Sequence, residues 1–207
     1  MTNDVFMIMK KYGKMMADLE YPLGDGPRIF VKGKDCCYAS VPGANMGDLK
    51  QEDITEYKMD EGSHSLEAEF LMNQEEMQAL VISNTPYCRE CRVLNKTVEA
   101  VLDDMAQIVG QKVVTVNHTL ADIKKALKHS EGCFARDKYT ITVGRNPYEA
   151  VVALMVLEKS AEVFTKAERL GGGKKIPKIE AKLMRYIYKK KYSKAEEQVK
   201  GAEVKGL

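Results

Sequence analysis

The chain has 207 residues, 44% hydrophobic and 30% charged, enough for one globular domain with a sizeable core. Its 32 basic and 30 acidic residues leave a net charge of +2, which removes any whole-protein electrostatic argument for a nucleic-acid or membrane partner. No run approaches the roughly 20 apolar residues of a membrane span, the N-terminus shows no cleavable signal pattern, and five cysteines form no secreted disulfide framework. A cytoplasmic location with free thiols is the expectation.

Taken in order, residues 3–20 read as an amphipathic helix capped by Asn3 or Asp4, with Val5, Ile8, Met9, Tyr12, Met15, Met16 and Leu19 at helical spacing. The turn-rich YPLGDGPR leads to two strands, Arg28 to Lys32 and Cys36 to Ser40, joined as a hairpin at Gly33-Lys34-Asp35. After the loop VPGAN come a short helix or turn over 48–53 and an alternating strand over 54–59. DEGSHS (60–65) is polar and flexible, and its Ser65 caps a helix to about Asn73. A buried strand spans 77–84. A helix from Thr97 carries Val98, Val101, Leu102, Met105, Ile108 and Val109 and stops at Gly110. Lys112 to Val116 is a strand, Leu120 to Lys128 a helix, and 133–136 and 139–143 are strands. Asn146, Pro147 and Glu149 make a capping box for a helix to about Leu170, ended by Gly171-Gly172-Gly173. A basic helix with Ile179, Leu183 and Ile187 follows. Strands and helices alternate, so the class is layered α/β. One domain is expected over 1–192, with a polar tail over 193–207.

The pivotal stretch is MQALVISNTPYCREC (77–91). An apolar strand, Ala79-Leu80-Val81-Ile82, ends in Ser83-Asn84-Thr85, a place where α/β folds put their chemistry. It offers an amide, hydroxyls, two cysteines and, counting Arg92 just beyond it, three charged side chains (Arg89, Glu90 and Arg92), but no histidine. Cys88-x-x-Cys91 has the spacing of a zinc half-site or a redox pair. No second pair accompanies it, so two free thiols on a helical turn is the plain expectation, and a cysteine-based metal or redox protein the alternative.

The order of elements resembles the class II aldolase/adducin family, typified by L-fuculose-phosphate aldolase. The matching features are Asp137-Lys138-Tyr139, Gly144, Glu149-Ala150, Leu157-Glu158, Ala161 and Ala167, with KTVEAVLDDMAQIVG, QALVISNTP and SVPGANMGDL upstream. The resemblance covers nearly the whole chain and lies in pattern and spacing. It implies a three-layer α/β/α sandwich around a central mixed, largely antiparallel sheet. It also implies a lyase-type enzyme on phosphorylated sugars, a homotetramer with the C-terminal segment reaching a neighbour, and a divalent metal such as zinc held by three histidines beside an acid/base glutamate.

Position by position, those histidines fall on Ile82, Asn84 and Lys138. The glutamate falls on Ser63 by count, or on Glu61 with a gap of two residues. Ile82 has no donor atom, Asn84 is a poor transition-metal ligand, and Lys138 is a cation where a cation binds. His64, His118 and His129 are scattered in sequence and do not replace the set. The resemblance therefore implies an aldolase-fold protein without metal-dependent aldol chemistry, no metal ligands and no cofactor. It keeps a pocket for a phosphorylated sugar or similar anion. The candidate catalytic residues are Lys138, Ser63, Asn84 and Glu67. The candidate ligand-binding residues are Arg28, Ser40, Gly43 and Ser65, on loops that with Lys32 cradle an anion. The alternative is a metal-independent lyase or isomerase in which Lys138, desolvated and flanked by Asp137 or Glu67, replaces the metal. Expected partners are further copies of the chain and a small anion. Nucleic acid and membrane are not expected.

Overall fold

A computed structural model describes the backbone of residues 1–58 and 65–204, and side chains as far as residue 191. Helix α1 (Asn3–Ala17) is capped one residue earlier than expected, by Thr2, whose hydroxyl accepts the Val5 N–H. Strands β1 (Arg28–Lys32) and β2 (Cys36–Ser40) form the expected hairpin, and β3 (Ile54–Lys58) continues it antiparallel. Helix α2 (Leu66–Met72) is capped by Ser65, whose hydroxyl accepts the Ala68 N–H at 3.1 Å. Then come β4 (Ala79–Ser83), α3 (Pro86–Val93), β5 (Val98–Glu99), β6 (Lys112–Val113), β7 (Thr115–Val116) and α4 (Leu120–Leu127). The chain continues through β8 (Gly132–Ala135), β9 (Thr140–Gly144), α5 (Pro147–Arg169) and α6 (Lys178–Val204).

Seven strands form one sheet in the order β3-β2-β1-β4-β9-β8-β7. Among the described residues only the β7–β8 pair is parallel, so the sheet is mixed and largely antiparallel, as expected. Strand alternation splits its side chains between two layers. Phe30, Leu80, Ile82, Ile141 and Val143 face α2 and α4, where Phe70, Leu71, Ile123 and Leu127 cover them. Ile29, Val31, Ala79 and Val81 face α1 and α5 and meet Met9, Met16, Val151 and Leu154. A third cluster joins α3, α5 and α6 through Cys88, Cys91, Phe134, Leu157 and Phe164. Asn146 and Pro147 start α5 as expected, the Asn146 amide oxygen accepting the Glu149 N–H at 2.9 Å. Farther along α5, the buried Glu158 carboxylate accepts the Tyr87 and Cys88 N–H groups at 2.8 and 2.9 Å. It thus satisfies the first turn of α3, whose own cap residue Thr85 makes no side-chain capping bond.

Two expectations are corrected. The helix from Thr97 to Gly110 does not form. Val98 and Glu99 pair with Val113 and Lys112 as β5–β6, and helical winding is confined to 103–109, with Met105–Val109 in a π-type turn ended by Gly110 at φ 129°. The apolar spacing in this segment serves burial: Val98 and Ala100 pack into the α3/α5 cluster from an extended backbone, and the β-branched Thr97-Val98 pair suits that geometry. The strand over 112–116 splits, because Val114 turns its carbonyl to Phe134 and sends the chain from one sheet to the other. From 193 onward the backbone continues as α6 to Val204.

Candidate functional site

The site lies on the α2/α4 face of the sheet, at the end of β4. In register, Arg28 of β1, Ile82 of β4 and Ile141 of β9 form one row across three strands. Paired residues share a face, so Arg28 stands beside Ile82, with Tyr139 two residues beyond Ile141 on the same side. Ile82 is 2% exposed and belongs to the apolar core. Arg28 is 8% exposed. Its Nε donates to the Ser40 carbonyl at 2.5 Å and its NH2 to the Tyr57 hydroxyl at 3.3 Å. Its guanidinium carbon lies 4.6 Å from the centroid of Phe30, a cation–π contact. Among the described residues no carboxylate pairs with it. Among the described residues this buried guanidinium is held by neutral acceptors, which leaves its charge uncompensated there.

Glu67 stands at the second position of α2. The Ser65 cap fixes the start of that helix, and its winding turns Glu67 inward, where it is 3% exposed. One carboxylate oxygen takes hydrogen bonds from two elements distant in sequence. The Tyr139 phenol donates to Oε1, and His118 Nε2 approaches the same oxygen at 2.7 Å. His118 Nε2 also lies 3.0 Å from the Tyr139 oxygen, the two rings meeting edge to face at 5.5 Å and 84°. One assignment satisfies all three contacts: the phenol donates to Glu67, and an Nε2–H on His118 is shared between the carboxylate and the phenol oxygen. Burial raises the proton affinity of Glu67, but the bonds from Tyr139 and His118 outweigh it and hold the carboxyl below its usual value. Burial and that carboxylate push the Tyr139 phenol far up, so it is a neutral donor at physiological pH. Glu67 was expected here as a neighbour of Lys138. The convergence of His118 and Tyr139 on it was not expected, because the residues are 51 and 72 positions away in sequence and lie on a loop and a turn without any shared motif.

The other candidates are dispersed. Asn84 is fully engaged: its Nδ2 donates to the Asp25 carbonyl at 3.0 Å, its Oδ1 accepts from Arg92 NH2 at 3.0 Å, and its N–H reaches the Leu23 carbonyl at 2.7 Å. It ties the 21–28 loop to the end of β4. Lys138 is exposed on the β8–β9 turn, next to Asp137 at φ 56°, so the desolvation expected for it is absent. Ser40 is buried, and its hydroxyl accepts the Ile29 N–H at 3.1 Å while its carbonyl holds Arg28. Ser65 spends its hydroxyl on capping α2. Gly43 sits at φ 82° with open space around it, a backbone turn only glycine takes readily. Ser63, Glu61 and His64 lie outside the described residues. Lys32 donates to the Gln74 carbonyl. Cys88 and Cys91 are buried core thiols, Cys91 Sγ lying 3.5 Å from the Thr165 hydroxyl. Burial pushes Cys88 well up and also raises Cys91. The arginines nearby in sequence do not make either a reactive thiolate.

These residues do not fit the divalent cation that the aldolase scaffold implies. Ile82 lies in the apolar core, both ends of the Asn84 amide are taken, and Lys138 and Arg28 place positive charge at the same end of the sheet.

No protein-family model matches the chain. It is 25% identical over 170 residues to an L-fuculose phosphate aldolase of Methanococcus maripaludis strain C5, covering 76% of this chain and 93% of that protein. A second L-fuculose phosphate aldolase, of the same species, is 20% identical over 166 residues, covering 74% and 92%. Among solved structures, an L-fuculose 1-phosphate aldolase superposes with a TM-score of 0.79 at 18% identity, covering 91% of this chain and 98% of that one. The L-fuculose-1-phosphate aldolase of Thermus thermophilus gives 0.69 at 16% identity, covering 84% and 100%. With its mixed seven-stranded sheet, β3-β2-β1-β4-β9-β8-β7, covered by helices on both faces, the chain has a class II aldolase-like fold.

Proposed function

We propose that this protein binds a small phosphorylated sugar or similar anion on the class II aldolase scaffold, without the metal-dependent aldol chemistry of that scaffold. The observation that carries this reading is Arg28, a buried guanidinium with no carboxylate partner among the described residues, beside a triad of Glu67, Tyr139 and His118. Arg28 takes the phosphate or carboxylate of the ligand. Ser40 positions Arg28, and Gly43 leaves the adjoining loop open. Glu67 remains ionised at neutral pH and accepts hydrogen bonds from ligand hydroxyls, while Tyr139 and His118 orient it. The protein assembles as a homo-oligomer, a tetramer by resemblance. The exposed Ile179, Leu183, Tyr186 and Ile187 on α6 give an apolar face for a neighbouring copy. Among the described residues no helix is long and apolar enough to cross a membrane.

The triad also favours a second reading, a metal-independent lyase or isomerase. In it Glu67 is the base, neutral Tyr139 the acid, and Lys138 on the rim balances charge. One set of measurements separates the two. Purified protein is melted with and without L-fuculose 1-phosphate, and aldehyde release is followed with and without a chelator. The first reading expects a ligand-dependent rise in Tm, corresponding to about 1.4 kcal/mol at tenfold Kd, and no turnover. Turnover that survives the chelator and vanishes in Glu67→Gln establishes the second reading. Turnover abolished by the chelator refutes both.

A further inference from the structure

A second concave site lies on the far edge of the sheet from β3, walled by β7, α4 and α6, with a cavity of about 720 Å³. Basic side chains from three separate elements converge on it: Lys112, Lys125, Lys128, Lys178 and Lys182, none of whose ammonium groups makes an ion pair or hydrogen bond among the described residues. Other cations in the wall are already engaged. Arg185 pairs with Glu131 and donates to the Ile108 carbonyl, Lys189 meets Glu131 at 3.0 Å, and Arg136 donates to Asn95 at 3.4 Å. The single lining carboxylate, Asp122, is held by Asn117 Nδ2 at 3.0 Å. The whole chain carries only +2, so this concentration of positive charge is local. Unpaired lysines crowded around one cavity repel each other unless an anion of several charges sits among them.

The wall between the lysines is different in kind. Val114, Val116, Ala126 and Ala181 give it an apolar floor. Strand β7 ends the sheet, and Phe134 and Arg136 donate to the carbonyls of Val114 and Val116. Strand alternation therefore turns the N–H and C=O of Thr115 to the open edge. The Thr115 hydroxyl, also in this wall, is buried without a hydrogen-bond partner among the described residues. A flat, uncharged ring with polar edges fits such a surface, and the lysines fit several phosphates. The volume falls in the range of about 300–1,000 Å³ typical of small-molecule sites, and the cations surround one cavity and do not line a track.

We infer that this cavity is a binding site for a small organic polyphosphate of nucleotide size, separate from the Arg28–Glu67 site. Phosphates lie among Lys125, Lys128, Lys178 and Lys182, and a ring lies on the Val114–Val116 edge against Thr115. Lysines supply point charges here, so affinity falls as salt rises.

The test is calorimetric titration of the full chain with ATP, with inorganic tripolyphosphate and with an RNA of about 12 nucleotides, in about 0.15 M salt. The expected result is saturable one-to-one binding of ATP, weaker binding of tripolyphosphate, and a loss of at least about 10-fold on Lys125→Glu with Lys182→Glu. Lys11→Glu with Lys34→Glu, the same change of charge on distant exposed lysines, leaves binding as it was, and L-fuculose 1-phosphate does not compete. Thermal melts confirm that both pairs of variants fold, which exposed lysine positions permit. Four results overturn the inference. They are no ATP binding at about 5 mM, equal loss in the two double variants, tripolyphosphate binding as tightly as ATP, or RNA binding that ATP cannot displace.

Discussion

Replacing Glu67 by Gln isolates the charge at the centre of the site while keeping its shape. In the native protein one carboxylate oxygen accepts from Tyr139 and His118 at a position 3% exposed. Bonds to a charged acceptor are worth about 1.5–3 kcal/mol each, against about 1 kcal/mol for a neutral pair. The amide should therefore cost about 2 kcal/mol at neutral pH, once part of the loss is offset by relief from burying a charge. The pH dependence carries the stronger test. The folded-state pKa of Glu67 is depressed below 4.5, so the unfolded chain takes up the proton first as pH falls. The stabilisation is fully present above the unfolded value and is lost as pH drops through the folded one. The difference between parent and variant is thus greatest near pH 7 and shrinks as pH falls below the folded-state value, where both side chains are neutral. Urea unfolding followed by circular dichroism reads it directly: for a slope near 2 kcal/mol/M, the midpoints differ by about 1 M at neutral pH and converge in acid. A difference that is constant with pH, or that widens in acid, would refute the assignment of Glu67 as an ionised, doubly hydrogen-bonded carboxylate.

Arg28→Met separates a ligand site from a structural ion pair. A cation with no carboxylate partner among the described residues should cost little stability on removal, within about 1 kcal/mol, while affinity for L-fuculose 1-phosphate falls by about 10-fold or more; a loss of stability of about 4 kcal/mol in melts, with ligand binding retained, would contradict this. Glu158→Ala leaves the Tyr87 and Cys88 N–H groups without their buried acceptor and should destabilise by about 3 kcal/mol in urea titration. Gly24→Ala places a Cβ 2.2 Å from the Asn84 carbonyl oxygen at a φ of +73°; the variant should melt lower than the parent by the equivalent of about 2 kcal/mol or more. All five cysteines are buried, with Cys37 and Cys133 pushed up to about 12, chiefly by burial, so an aromatic disulfide reagent should label no thiol rapidly in native protein and all five in denaturant; one fast-reacting thiol in the native state would sink this.

What the sequence determined by itself was local. Alternation and turn residues gave β1, β2 and β4 nearly to the residue, and Asn146-Pro147 gave the start of α5, because those signals are written within a few positions of one another. That Ile82, Asn84 and Lys138 stand where the resemblance implies histidines was legible for the same reason: each is a question of which side chain stands at one place. Pairing decided the rest. The apolar residues of 98–109 have helical spacing, yet two residues of that segment became β5 because Lys112 and Val113 supplied a partner strand, which no local pattern encodes. Glu67, His118 and Tyr139 became one hydrogen-bonded cluster only when α2, the loop before α4 and the turn before β9 met over the sheet. The basic cavity at β7 likewise gathers lysines from β6, α4 and α6 around the last strand of the sheet. A balanced total charge conceals such a concentration, since electrostatic fields depend on where charges lie in space and a sequence records only their order.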